Sequence, residues 1–132
     1  MKLTNKTEYA ILALLTLARE KANTTSIQTI AKKAKIPARF LEQIMLHLKH
    51  GQFVKSIRGQ KGGYQLNKKL EEISLAEIIR YFEGALAPTE SVSKFCYSET
   101  PLTNEKSVVS VMKDIRDYIS SKLEKTTLAD LI

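Results

Sequence analysis

Arg58 and Lys61 sit in a run, Phe53–Leu66 (FVKSIRGQKGGYQL), whose turn also holds Gly59, Gly62 and Gly63. Guanidinium and ammonium groups on a glycine-rich turn suit phosphate oxygens and the floor of a narrow, negatively charged groove. The glycines permit positive φ and a close approach of backbone to another molecule. Strand-like stretches flank the turn, and Phe53, Ile57, Tyr64 and Leu66 are the positions expected to hold the hairpin on a core. A second group precedes it: Arg39, Glu42 and Gln43. Arginine can hydrogen-bond a guanine edge bidentately, glutamine suits adenine, and a carboxylate accepts from cytosine. Arg58, at the hairpin corner, suits a minor groove narrowed by A·T pairs. Lys32, Lys33, Lys49, Lys55 and Lys61 are expected at phosphates, which supply affinity without sequence information.

Other chemistries find less support. No nucleophile stands with a base and no paired carboxylates mark a cleft, so an enzyme is not expected. RGQKGG lacks the Gly-Lys-Ser/Thr helix start of a phosphate-binding loop. His47 and His50 share a helix face without a further histidine or cysteine to complete a metal site. The single cysteine, Cys96, excludes an intrachain disulfide framework and fits a reducing cytoplasm. Cys96 is the candidate redox sensor, but between Phe95 and Tyr97 it reads first as a small apolar residue.

Charge separates the chain into unlike halves. Residues 1–69 carry 14 Lys/Arg against three acids, while residues 70–132 carry seven against eleven. The whole excess of the +7 chain therefore lies with the hairpin, as a footprint for a polyanion requires. At 132 residues and 43% hydrophobic content the chain can build one modest core. No run approaches the ~18 apolar residues of a membrane span. The opening residues do not read as a signal peptide, and no membrane partner is expected.

Helical periodicity places these groups. A first helix is expected from about Lys6 to Glu20, opened by a capping box of Asn5 and Glu8. Asn23–Ser26 breaks it, and a short second helix buries Ile27, Ile30, Ala31 and Ala34. Pro37 starts a third helix, about Ala38 to His50, with Phe40, Leu41, Ile44, Met45 and Leu48 inward and Arg39, Glu42 and Gln43 outward. Gly51 ends it and the hairpin follows directly, which is the winged arrangement. Ser74 and Glu77 box a fourth helix that Gly84 and Pro88 end, and residues 85–103 read as a loop. The last helix, about Asn104 to Lys125, repeats Val108, Met112, Ile115, Ile119 and Leu123 as a seam for a partner helix. The fold class expected is mainly α: a winged helix-turn-helix with a two-stranded wing and a long C-terminal dimerisation helix.

Four stretches carry a family likeness: MKLTNKTEYAILALL, IPARFLEQIM, FVKSIRGQKGGYQL and TTLADLI. Through them the whole chain resembles the Rrf-two family of bacterial winged-helix transcription regulators. The resemblance implies a cytoplasmic homodimer, crossed through the last helix, that binds a roughly palindromic operator and usually represses. It places Arg39, Glu42, Gln43 and Arg58 where the family reads DNA. It divides the chain into a DNA-binding domain (1–84), a loop at the family's sensor position (85–103), and the dimerisation helix with its tail (104–132). Thr7-Glu8 departs from the Gly-Arg of many members. Many members hold an iron–sulfur cluster with three cysteines in that loop, and one branch adds an acid from the partner's first helix, where Glu8 stands here. One thiolate per chain falls short of that ligand set, so no cofactor is expected and a cluster is disfavoured. Cys96 and Glu8 are the residues left at the sensor position. The expectation is a homodimeric repressor that reads duplex DNA. The alternative is a winged-helix module for protein or RNA without specific DNA readout.

Overall fold

The computed structural model describes residues 1–132. Helix α1 (Asn5–Arg19) crosses the centre, with Ala10, Ala13 and Leu14 fully buried. Its capping box does not form. The helix begins a residue early, Glu8 is exposed, and Thr4 is the cap residue without capping its own helix. A distant carboxylate takes that role. Glu83 Oε1 accepts from the Thr4 backbone N–H (2.7 Å), the Thr4 hydroxyl (2.7 Å) and the buried Thr7 hydroxyl. A negative charge at the positive end of α1 also complements the helix dipole.

Helix α2 (Ile27–Ala34) starts at Ser26, whose hydroxyl accepts from the Thr29 N–H, and ends at Lys35 in the left-handed region. Ile36 is buried in the turn, and α3 (Ala38–His50) spans the expected residues. Leu41, Ile44, Met45 and Leu48 face the core, whereas Phe40 is 44% exposed. It precedes Leu41 on the helix and so points away from the face that Leu41 buries. After α3, Gln52 rather than Gly51 takes the positive φ that turns the chain into the hairpin.

Strands β1 (Val54–Ile57) and β2 (Gly63–Leu66) pair antiparallel, from Val54↔Leu66 at the base to Ile57↔Gly63 near the tip. Phe53 and Val54 hold the base in the core, but the rest of β1 is exposed, Ile57 at 40%. A bridge joins Thr25 to Tyr64 on the other edge of β2.

Helix α4 (Leu75–Glu83) is capped by Ser74, which accepts from the Glu77 N–H (3.1 Å). The Glu77 carboxylate pairs with Lys68 (2.5 Å) instead of returning to the cap. The loop beyond Gly84 is partly built. Leu86, Ala87, Ser91, Val92 and Ser93 are buried, around a 3-10 turn at Glu90–Val92.

Helix α5 (Lys106–Lys125) contains no fully buried residue. Leu123 packs against the small cluster of Ala76, Ile79 and Leu86 of its own chain. Val111, Ile115 and Tyr118 face outward, at 54%, 40% and 71% exposure. The seam read from the sequence therefore combines a side that leans on the same chain with one that is uncovered. The tail returns. Thr127 and Asp130 cap α6 (Leu128–Leu131), the Leu128 N–H donates to Ile73 O (2.9 Å), and Leu128 is fully buried in the main core. The tail after α5 thus packs into the same core as α1, α2 and α3.

Candidate nucleic-acid interface

Arg39, Glu42 and Gln43 are all exposed, at three- and four-residue steps on the outer side of α3. Leu46, 53% exposed, continues the same stripe. The signal in the sequence for Leu46 is its spacing, three residues after Gln43 and seven after Arg39. The Arg39 guanidinium carbon lies 4.7 Å from the centroid of the Phe40 ring. Phe40 in turn meets Tyr9 of α1 (centroids 6.5 Å apart, tilted by 31°). The ring expected inside thus forms a surface platform for the cation beside it.

Arg58 and Lys61 are exposed in the turn between β1 and β2. Lys32, Lys49 and Lys55 are exposed too, and none of these cations, nor Arg39, is in an ion pair. Lys33 differs, because it pairs with Glu20 at the end of α1. Unpaired cations keep their full field available to a polyanion. With its amide oriented to satisfy both ends, Gln65 donates to Asn23 O (2.9 Å) and accepts from Lys55 Nζ (3.2 Å).

The loop at residues 85–103 has its own polar joints. Cys96 is exposed, contrary to its apolar reading, and its flanking Phe95 and Tyr97 are exposed as well. Its backbone N–H donates to the Ser93 hydroxyl (2.9 Å). Arg116 of α5 donates to Val92 O (2.9 Å), and Arg80 of α4 reaches Glu124 (2.5 Å) and Ser120 (3.3 Å) on α5. The Arg80 hydrogen bond holds the Glu124 carboxyl below its ordinary value, helped by the Ser120 hydroxyl. The Glu83 carboxyl is lowered chiefly by the Thr7 hydroxyl and then by Thr4. His47 is half-buried edge-on to Phe82 (6.3 Å between centroids), and His50 is exposed.

Two helices joined by a tight turn, a basic hairpin behind them and unpaired cations on that half define a winged helix-turn-helix protein of the DNA-binding kind. The chain belongs to the Rrf2 family, whose model, described as "Rrf2: Iron-dependent Transcriptional regulator", matches residues 3–132. CymR, an HTH-type transcriptional regulator of Bacillus subtilis, is 33% identical over 132 residues, or 99% of this chain and 89% of CymR. The structure of CymR, the global cysteine regulator of B. subtilis, superposes with a TM-score of 0.85 at 31% identity, covering 99% of this chain and 95% of that one. The structure of T. potens IscR gives 0.77 at 27% identity, covering 99% and 85%. The protein is accordingly a transcriptional regulator and not an enzyme. No helix is long and apolar enough to cross a membrane.

The family description names iron, and the donors of this chain do not match an iron–sulfur cluster. Such clusters are held by several thiolates, with histidine replacing some in certain types. Cys96 is the only cysteine. No three His, Cys, Asp or Glu side chains gather around one point within the chain.

Proposed function

We propose that the protein is a homodimeric, sequence-specific repressor that binds a roughly palindromic operator, with α3 in the major groove and the wing in the adjacent minor groove. The observation that carries this reading is the outward stripe of α3, where Arg39, Glu42 and Gln43 are exposed beside a wing bearing Arg58 and Lys61. Arg39 and Gln43 read purine edges, Glu42 accepts from cytosine, and Leu46 meets a thymine methyl group. Arg58 enters the minor groove, while Lys32, Lys49, Lys55 and Lys61 neutralise phosphates. Lys33 contributes only on release from Glu20.

A second copy is supported by the uncovered stripe Val111, Ile115 and Tyr118, with Val108 and Met112 half-buried beside it. Two crossed α5 helices would cover that stripe, along with the exposed parts of Ile119 and Leu123. A symmetric dimer places its two recognition helices on half-sites about one helical turn, or a multiple of it, apart. Occupancy of such a site across a promoter is sufficient for repression, and the protein acts in the cytoplasm, where the nucleoid lies.

Selection from random duplexes is the test. A two-fold symmetric motif is expected to emerge, with A·T pairs flanking each half-site. Recovery of unenriched sequence would show that the basic half is a non-specific or protein-directed surface.

A further inference from the structure

The wing is tied on both edges. On one side β2 pairs with β1, and on the other it meets the segment between α1 and α2. There the Thr25 N–H donates to Tyr64 O (2.9 Å) and the Tyr64 N–H donates to Thr25 O (2.8 Å). One residue earlier, the Thr24 hydroxyl donates to Lys61 O (2.7 Å), which belongs to the tip. Within the tip the Gly62 N–H donates to Gly59 O (3.0 Å), so the turn directly after Arg58 is closed on itself and held through Lys61. Asn23 O adds the bond from Gln65, making Asn23, Thr24 and Thr25 successive attachment points for the wing. Ser26, the next residue, caps α2. The wing and the first helix of the helix-turn-helix therefore share one short length of chain.

We propose that Thr24 is a positioning residue for the wing, one that fixes the tip through the Lys61 carbonyl and so sets where Arg58 enters the minor groove. This rests on the wing reading above. A turn that follows a strand pair tethered only at its base has the backbone freedom of its glycines. Fixing it in the bound geometry before DNA arrives removes an ordering cost from association, and removes it for the one register that Arg58 can use. Thr24 thus acts on discrimination between flanking sequences, not on phosphate affinity, because Lys61 keeps its charge in either case.

The experiment compares Thr24→Val, Thr24→Ser and Arg58→Ala on duplexes that share the selected half-sites and carry either A·T or G·C flanks. Thr24→Val keeps the branched shape and removes the donor, and because Thr24 is only half-buried the fold should persist. It is expected to reduce the A·T-over-G·C preference by about fivefold, the scale of one net hydrogen bond. Affinity for the G·C-flanked duplex and the salt slope should stay at wild-type values, and Thr24→Ser should restore the preference. Wild-type discrimination in Thr24→Val would overturn the assignment, as would equal losses on both flanks. If Arg58→Ala abolishes the flank preference while Thr24→Val retains it, Thr24 alone is misassigned. If Arg58→Ala also leaves it intact, the wing does not read the minor groove and both readings fall.

Discussion

Arg39 and Lys61 carry the same charge and are expected to differ in what they report. Arg39 lies on the outward stripe of α3 with its guanidinium over Phe40, so it can present a planar fork to one base pair. Lys61 presents a compact point charge, on a flexible four-carbon stem, at the wing tip. Arg39→Ala is expected to cost about 1–3 kcal/mol at one operator position, whereas Lys61→Ala should weaken all duplexes alike and lower the salt slope by ~1. Binding arrays over single-base operator variants, repeated across a salt series, separate the two, and identical profiles would remove Arg39 from base reading. Glu83 carries a different prediction, concerning acid. Hydroxyls of Thr7 and Thr4 hold its carboxyl below the ordinary 4.5 in the folded chain. The stabilisation is therefore complete above that value and is lost as pH falls through the folded pKa. Glu83→Gln is expected to cost about 1 kcal/mol at neutral pH, the usual scale of a helix cap. It should also show a shallower decline on acidification below about pH 4.5. Thermal unfolding across pH tests this, and parallel curves for the two proteins would exclude Glu83 as the linked group.

Among the elements, the helices and the wing were legible to different depths. The bounds of α3 follow from Pro37 before it and from an apolar stripe that keeps its period to Leu48, both local properties. The start of α1 was misread because Asn5 and Glu8 have the right spacing while Glu83, far away in sequence, offers a better acceptor. Local spacing cannot register such a competitor. The hairpin was visible from its glycines and aromatic residues, but its second edge was not, since two threonines in a polar break are too short a run to mark a strand and Thr25 forms only an isolated bridge. Gly63 records that hidden contact. A Cβ built there would lie 2.5 Å from Thr25 O, whereas one at Gly59, with φ of +120°, meets nothing within 4 Å. Gly63→Ala is therefore expected to destabilise the protein by about 1–3 kcal/mol through overpacking. Gly59→Ala carries backbone strain alone. Chemical denaturation with amide exchange at Thr25 checks the difference. Retained protection at Thr25 in Gly63→Ala would show that the loop yields without losing its bridge.

At the scale of the whole molecule, the chain folds back on itself and still leaves a face uncovered. Leu128 plugs the main core after a helix of 20 residues has left it, which anchors the far end of α5 to the amino-terminal unit. Leu128→Ala is expected to cost about 2–5 kcal/mol, as for a large-to-small change in a packed core. A loss near zero in denaturant titration would mean that the tail merely rests on the surface. Tyr118 gives the complementary case, since at 71% exposure it contributes little to the fold of one chain. Tyr118→Asp should leave secondary structure unchanged and shift the assembly toward monomer in sedimentation equilibrium, because a charge in a desolvated helix crossing has no partner. An unaltered dimer would move the interface away from the Val111–Ile115–Tyr118 stripe. Arg80 joins α4 to Glu124 and Ser120 of α5, and Arg116 joins α5 to Val92 of the preceding loop.

The sequence by itself determined the helix-turn-helix, the wing and the concentration of positive charge on that half, because each rests on local periodicity, turn chemistry or a count of ionisable groups. It also placed Arg39, Glu42 and Gln43 outward, since the buried stripe of α3 leaves them no other side. Only tertiary structure decided which ring is the exception to that stripe, what caps α1, which edge of the wing is held and where the tail goes. Phe40, Glu83, Thr24 and Leu128 each owe their role to a partner distant in sequence or to the limit of the core. Such contacts depend on how far the packed helices extend and on which acceptor wins, and neither is written in the spacing of neighbouring residues.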